Sequence, residues 1–143
     1  MVIARSENMR RIRSKNTTPE LLVRRVLRSL GYTGYRLHRR DLPGKPDVAF
    51  IGKRKAIMIH GCFWHGHSCK EGLRRPKSNQ EYWIDKIYRN QLRDRKHLEK
   101  LEKAGWEIMV IWECELKNKE QITLEIQRFM TDIALGNSSQ SKK

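Results

Sequence analysis

Apolar residues recur along the chain at two spacings, helical and strand-like, and segments of the two kinds alternate. The run Thr18-Pro19-Glu20 is typical of a helix start, with Thr18 as the expected cap and Pro19 at the first helical position. Apolar residues then recur every three or four positions until Gly31, which favours the end of a helix. The pattern therefore predicts an amphipathic helix near the N-terminus.

The rest of the chain divides into short segments separated by turn-forming residues. Ser78 and Glu81 form a capping-box pattern, which predicts the start of a long helix reaching about position 103. Residues 61–78 are rich in Gly, His, Cys, Lys and Arg and are expected to be irregular. The other predicted elements are strands at 35–38, 47–51, 55–60 and 107–112, a hairpin turn at 52–53, and a helix from 119 to about 133.

This alternation indicates an α/β protein in which a mixed β-sheet is flanked by helices. A chain of 143 residues has room for one hydrophobic core. Residues 1–16 are basic and poor in large apolar groups, so they are interpreted as an N-terminal arm. The expected folded domain spans residues 17–135, and residues 136–143 form a polar tail that is expected to be disordered.

The charge balance points to a polyanionic partner. The chain carries 31 Lys and Arg against 16 Asp and Glu, a formal net charge of +15. Neutralising a phosphate backbone is the commonest use of such an excess, although a generically basic soluble protein remains the alternative. The chain has neither an apolar run near the ~20 residues that span a bilayer nor a secretory signal, so we expect a cytoplasmic protein without a membrane partner.

One group of soft ligands suggests a metal site. Cys62, His67 and Cys69 follow the pattern Cys-x4-His-x-Cys, and Cys114 follows the strand predicted at 107–112. Three thiols and one imidazole suit tetrahedral zinc, and a site with four protein ligands is structural because no position remains for water. Unrelated buried thiols beside surface histidines are the alternative interpretation.

A second group of residues suggests phosphodiester chemistry. Asp47, at the start of one strand, is a hard oxygen ligand for Mg²⁺. His60 ends the neighbouring strand and His65 lies in the following loop, and either histidine could be a base near neutral pH. Glu20 could orient one of these groups or a metal-bound water. Taken singly, Asp47 could instead be a turn residue, and Glu20 could compensate a helix dipole.

Aromatic residues lie beside these candidates. Phe63 and Trp64 adjoin the predicted zinc ligands, and Trp83 opens the long helix. Aromatic groups on a basic surface can wedge between base pairs and kink a duplex. The alternative is that they belong to the core.

Several motifs in order resemble a known family. The run His60-Gly61-Cys62-Phe63-Trp64-His65-Gly66-His67-Ser68-Cys69 resembles the signature of the very-short-patch repair (Vsr) endonucleases. Further matching motifs are Asn8-Met9-Arg10, Leu42-Pro43-Gly44-Lys45-Pro46-Asp47, Glu81-Tyr82-Trp83, Arg93-Asp94-Arg95, Gly105-Trp106 and Trp112-Glu113-Cys114. The resemblance spans roughly residues 5 to 130.

The resemblance implies a restriction-endonuclease-like fold with a structural zinc site. It also implies an Mg²⁺-dependent enzyme that nicks DNA 5′ to the thymine of a T:G mismatch, the product of 5-methylcytosine deamination. The expected partners are mismatched double-stranded DNA and, functionally, a cytosine-5 methyltransferase and mismatch-repair proteins. A monomer associated with the bacterial nucleoid is expected.

The resemblance also assigns roles to residues. The carboxylate of Asp47 and the main-chain carbonyl of Ile59 would hold Mg²⁺, although Ile59 stands where the best-known members have Thr. His65 would be the base. The remaining expected roles are support of phosphate and metal by Glu20 and His60, zinc binding by Cys62, His67, Cys69 and Cys114, and a DNA wedge of Phe63, Trp64 and Trp83 opposed by Met9.

Two other functions are compatible with the same residues. A restriction-type or broader-specificity endonuclease would cut matched DNA at comparable rates. A zinc-stabilised DNA-binding module without catalysis would bind a mismatch and leave both strands intact.

Overall fold

The computed structural model describes residues 17–131. The interpreted arm at 1–16, which contains Met9, and the tail at 136–143 lie outside the described residues. None of the helices within this range is both long and apolar enough to cross a lipid bilayer.

A four-stranded mixed sheet forms the centre of the structure, as the alternating pattern predicts. Its strands are β1 (Arg36–Leu37), β2 (Val48–Phe50), β3 (Lys55–His60) and β4 (Glu107–Trp112). They lie side by side in sequence order, with β1–β2 and β2–β3 antiparallel and β3–β4 parallel. The predicted bounds of β3 and β4 are confirmed: both are apolar runs, and β3 is almost wholly buried whereas β4 is partly buried.

Helices cover the sheet. They are α1 (Thr18–Ser29), the single turn α2 (Lys70–Leu73), α3 (Gln80–Lys103) and α4 (Lys119–Thr131), and a 3₁₀ segment (Glu113–Lys117) follows β4. The long helix α3 makes the crossover that a parallel pair of strands requires, since β3 and β4 run in the same direction. The mixed α/β class is therefore confirmed.

Two local predictions about helix starts are wrong. Thr17, rather than Thr18, caps α1: its hydroxyl accepts the Glu20 N–H at 3.4 Å, because its backbone is still extended. Helix α3 begins at Gln80 after a left-handed Asn79, and no side chain of a Ser78–Glu81 box caps it.

The loop at 61–78 is also more ordered than predicted. It contains the helix α2, because the Cys69 sulfur accepts the Gly72 N–H at 3.4 Å in the manner of a capping serine.

The two faces of the sheet have different neighbours. Successive side chains of a strand point to opposite faces, so Ile57 packs with α1 and α4, whereas His60 lies on the face covered by α3. The main core comprises Val23, Val26, Leu27, Val48, Phe50, Ile57, Ile111, Leu116, Ile122, Ile126 and Met130. The polar candidates thus collect on the face opposite this core.

Candidate functional site

A cavity of about 250 Å³ opens where β3 ends beneath α3. Its polar lining groups come from three parts of the chain: Lys45 and Asp47 before β2, His60 and His65 at and after the end of β3, and Arg93, Asp94 and His97 on α3. The sequence-predicted Asp47, His60 and His65 therefore come together in one cavity.

Asp47 is held by the neighbouring strand. Its Oδ2 accepts the main-chain N–H of Ile59 at 2.8 Å, so the carboxylate lies beside the Ile59 backbone. Burial raises the pKa of Asp47 to about 6, and the negative charge of Glu20 adds to this effect, while the Ile59 hydrogen bond opposes it. A bound cation would relieve this cost of ionising a buried carboxyl.

Glu20 belongs to a second cluster beside Asp47. Only 2% of its surface is exposed, and its Oε1 and Oε2 lie 2.9 Å and 2.8 Å from His38 Nε2. Glu20, His38 and Asp47 each offer one ligand atom within 4.8 Å of the others. Glu20 therefore lies close to Asp47, and its carboxylate is held there by the contact with His38.

The two histidines of the cavity form a stacked pair. The rings of His60 and His65 lie 3.9 Å apart with an angle of 3° between their planes. Burial lowers the pKa of His60 to about 4, and the neighbouring His65 lowers it further. Near neutral pH His60 is uncharged, and its buried Nδ1 has no hydrogen-bond partner within residues 17–131.

Asp94 sets the orientation of His65. His65 Nδ1 lies 2.6 Å from Asp94 Oδ2, and an ionised carboxylate can only accept, so Nδ1 carries the proton. Burial opposes ionisation of Asp94, but the hydrogen bond and charge of His65 outweigh it and hold the pKa of Asp94 below its usual value. In neutral His65 the lone pair is then on Nε2, the form needed by a general base.

The four soft ligands also meet. Cys62, His67, Cys69 and Cys114 offer ligand atoms within 4.8 Å of one another. Tetrahedral zinc with Zn–S bonds near 2.3 Å holds its sulfurs about 3.8 Å apart, so small side-chain movements close the site. The Cys114 N–H, 3.4 Å from the Cys62 sulfur, is a donor of the kind that stabilises a thiolate. This cluster could bind a metal ion.

The three aromatic residues form one partly exposed cluster. The ring centroids of Phe63 and Trp64 are 5.3 Å apart, and each ring lies 5.5 Å from Trp83. All three are intermediate in burial, and the Asn90 side chain donates to the Trp64 carbonyl at 2.8 Å. They pack on one another beside the cavity and outside the main core.

The sequence assigns no role to two residues of the site, His38 and Asp94, although Asp94 lies in the matching motif Arg93-Asp94-Arg95. Asp94 is spaced seven residues from both Ile87 and Leu101, which are buried, so helical spacing alone places it on the inward side of α3. His38 lies in a predicted strand with no pattern that marks it. Its partner Glu20 is 18 positions away.

Known proteins resemble this chain over most of its length. A family model described as DNA mismatch endonuclease Vsr matches residues 3–71. The DNA mismatch endonuclease Vsr of Escherichia coli is 37% identical over 121 residues, which cover 85% of this chain and 76% of that protein. This chain belongs to the Vsr family.

Two type II nicking enzymes are also similar. V.NmeAIP of Neisseria meningitidis is 44% identical over 129 residues, covering 90% of this chain and 91% of that enzyme. V.XorIIP of Xanthomonas oryzae pv. oryzae is 49% identical over 110 residues, covering 77% of this chain and 79% of that enzyme. The family and these relatives together support a DNA endonuclease.

The metal-binding cluster depends on a close approach at Gly72. A Cβ at this position would lie 2.0 Å from the His67 carbonyl oxygen, which is backbone and cannot rotate away. We expect Gly72→Ala to lower the free energy of unfolding by about 1–3 kcal/mol and to reduce the bound metal, measured by urea denaturation and elemental analysis.

Gly52→Ala is the matched control, because nothing lies within 4 Å of its added Cβ. It should keep the wild-type metal content. Equal metal content in both variants would contradict the close-approach argument.

The pKa of Asp47 can be measured directly. In metal-free protein its carboxyl should titrate near pH 6 in a carbon-detected NMR experiment, while Asp94 titrates below its usual range. Glu20→Gln should lower the midpoint of Asp47, because a negative neighbour is removed. Protons and cations compete for the carboxylate, so cation affinity should fall as the pH drops through 6. A midpoint unmoved by Glu20→Gln would show that the two carboxylates do not interact.

Proposed function

We propose that this protein nicks one DNA strand 5′ to the thymine of a T:G mismatch, by Mg²⁺-dependent hydrolysis of the phosphodiester. The supporting observation is the cavity that joins Asp47 to the stacked pair His60 and His65, in a chain of the Vsr family. The mixed sheet, with its polar groups on the face opposite the main core, is compatible with the restriction-endonuclease-like fold that the family resemblance implies.

His65 is the proposed general base. Asp94 keeps the proton on Nδ1, so Nε2 is free to take a proton from the attacking water. The protonated ring is then stabilised by the adjacent carboxylate. His60, uncharged near neutral pH, supports the phosphate through a neutral ring nitrogen and limits the space in which His65 can move.

Asp47 is the proposed ligand of the catalytic cation, together with the main-chain carbonyl of Ile59. The donor set fits a hard divalent ion, because a buried carboxylate lies beside a second carboxylate, Glu20. When bound, Mg²⁺ supplies stabilisation of the negative charge that develops on the phosphate. Glu20 supports this arrangement from behind Asp47.

Zinc is the proposed ion of the four-ligand cluster, with a structural role. Its ligands would be Cys62, His67, Cys69 and Cys114, a set of three thiolates and one imidazole that suits zinc and leaves no open position. The ion would fix the loop between β3 and α2, in which His65 lies.

Phe63, Trp64 and Trp83 are the proposed wedge. Intercalation beside a mismatch costs less than beside a matched pair, so a wedge that unstacks DNA selects distorted sites. Met9, outside the described residues, is proposed to enter from the other groove.

A single-strand cut is favoured over a restriction-type double-strand cut, because several relatives are named nicking enzymes. Such a cut is natural for a monomer acting near the nucleoid. A cytosine methyltransferase, which creates the source of T:G pairs, and mismatch-repair proteins are the proposed functional partners.

An end-labelled duplex with one T:G pair, compared with its T:A control in Mg²⁺, tests the proposal. We expect a single nick in the mismatched duplex only. Asp47→Ala should abolish it, and His65→Ala should slow it by about 10²–10⁴-fold while retaining DNA binding, as expected for loss of a general base.

Each alternative function has its own result in this assay. Comparable cutting of the T:A duplex would identify a broader nuclease, and mismatch binding without any nick would identify a binding module. Nicking that survives both substitutions would remove the catalytic assignment.

Loss of the wedge should weaken the preference for mismatched over matched DNA and leave the hydrolysis step itself unchanged. Trp64→Ala should weaken the binding preference for the T:G duplex by ~1–3 kcal/mol, the value of one lost stacking contact. Fluorescence anisotropy with both duplexes measures this preference. Trp106→Ala is the control, since Trp106 follows the other end of α3, about 30 Å away at the helical rise of 1.5 Å per residue. An equal loss in both variants would reject the wedge.

A further inference from the structure

His38 contacts both acidic residues of the site: its ring reaches the Glu20 carboxylate, and its main chain bonds the Asp47 backbone. Its ring nitrogen Nε2 contacts both oxygens of Glu20 at 2.9 Å and 2.8 Å. Its main-chain N–H donates to the carbonyl of Asp47 at 3.2 Å. A displacement of His38 would therefore change the position of Glu20 relative to Asp47.

The backbone of His38 adopts a conformation that few side chains favour. Its φ is +48°, in the left-handed region, directly after the short strand β1. Residues are held in such conformations where the surrounding structure demands it, and they cluster at functional sites. Here the turn directs the imidazole towards Glu20 on α1.

Glu20 needs this partner because of where it lies. A carboxylate that is 2% exposed loses its water and must be compensated by hydrogen bonds or charge. It also lies next to Asp47, which repels it when both are ionised. Arg24, at 3.3 Å from Oε2, contributes on the helix side, while the shorter contacts come from His38.

His38 does not reach the reacting atoms. The cavity is lined by Asp47, His60 and His65 but by neither Glu20 nor His38, so both lie behind the carboxylate that faces the substrate. A contribution of His38 must act through Glu20 and Asp47.

We propose that His38 is a positioning residue for the catalytic divalent cation: it fixes the Glu20 carboxylate beside Asp47 and so preserves the arrangement that binds the ion. The proposal rests on the proposed function, because it takes Asp47 as the cation ligand. Removal of a group that orients a metal ligand typically costs about 10- to 100-fold in metal affinity or activity.

Two substitutions at position 38 separate the effect of side-chain length from the effect of the left-handed backbone. His38→Asn tolerates a left-handed backbone, but its amide is too short to replace Nε2. His38→Gln carries its amide nitrogen about as far from the main chain as Nε2. We expect H38N to weaken Mn²⁺ binding by about tenfold or more, and H38Q to stay close to wild type.

The measurement uses the full chain and Mn²⁺, with the free ion quantified by electron paramagnetic resonance. Asp47→Asn gives the reference for loss of the site. Thr17→Ala is the matched control, because it removes the α1 cap without altering the carboxylate contacts of Glu20. The Mg²⁺ concentration for half-maximal nicking should rise in H38N, with the rate at saturating Mg²⁺ largely retained.

Unchanged Mn²⁺ affinity in H38N would overturn the proposal, as would an equal loss in Thr17→Ala. Failure of the proposed function looks different: wild type would bind Mn²⁺ through Asp47 and leave the T:G duplex intact. The binding measurement then still decides the role of His38.

Discussion

The parallel pairing of β3 with β4 is the constraint on which the rest of the site depends. It places His60 opposite Trp112 at the last position of both strands. The Trp112 ring then meets the His60 ring edge-on at 5.1 Å and stacks on His67 at 4.2 Å. One strand register thus fixes the spacing between the histidine pair and the four-ligand cluster.

The chain on either side of this register supplies the remaining parts. After β3 it turns at once into the loop of Cys62 and Cys69, and after β4 it delivers Cys114, whose N–H reaches the Cys62 sulfur. A shift of one residue between the strands would place His60 and Trp112 on opposite faces of the sheet. The buried apolar face, with Ile57 and Ile111, makes such a shift costly.

The site brings together titratable groups whose charged forms are destabilised by burial. Asp47 has a raised pKa, and His60 has a lowered one, both chiefly because of burial. Unfavourable ionisation of this kind is common where a cation or substrate completes the environment. The close pairs Glu20–His38 and His65–Asp94 offset part of the cost and give each group one orientation.

The sequence by itself determined the elements and most candidate residues. The bounds of β3 and β4, the long helix ending at Lys103 and the four soft ligands follow from local pattern, because apolar runs and ligand spacing are local properties. The four soft ligands also lie close together in the structure, as their residue types and spacing predict.

The tertiary structure decided which polar side chains pair with one another. Glu20 meets His38 across 18 positions, and His65 meets Asp94 across 29, and no periodicity links residues on different elements. It also decided the caps, since Thr17, Asn79 and Cys69 begin helices according to backbone geometry that local composition does not specify. The residue types come from the chain, but their orientation comes from packing, because only a folded sheet brings distant groups within hydrogen-bond reach.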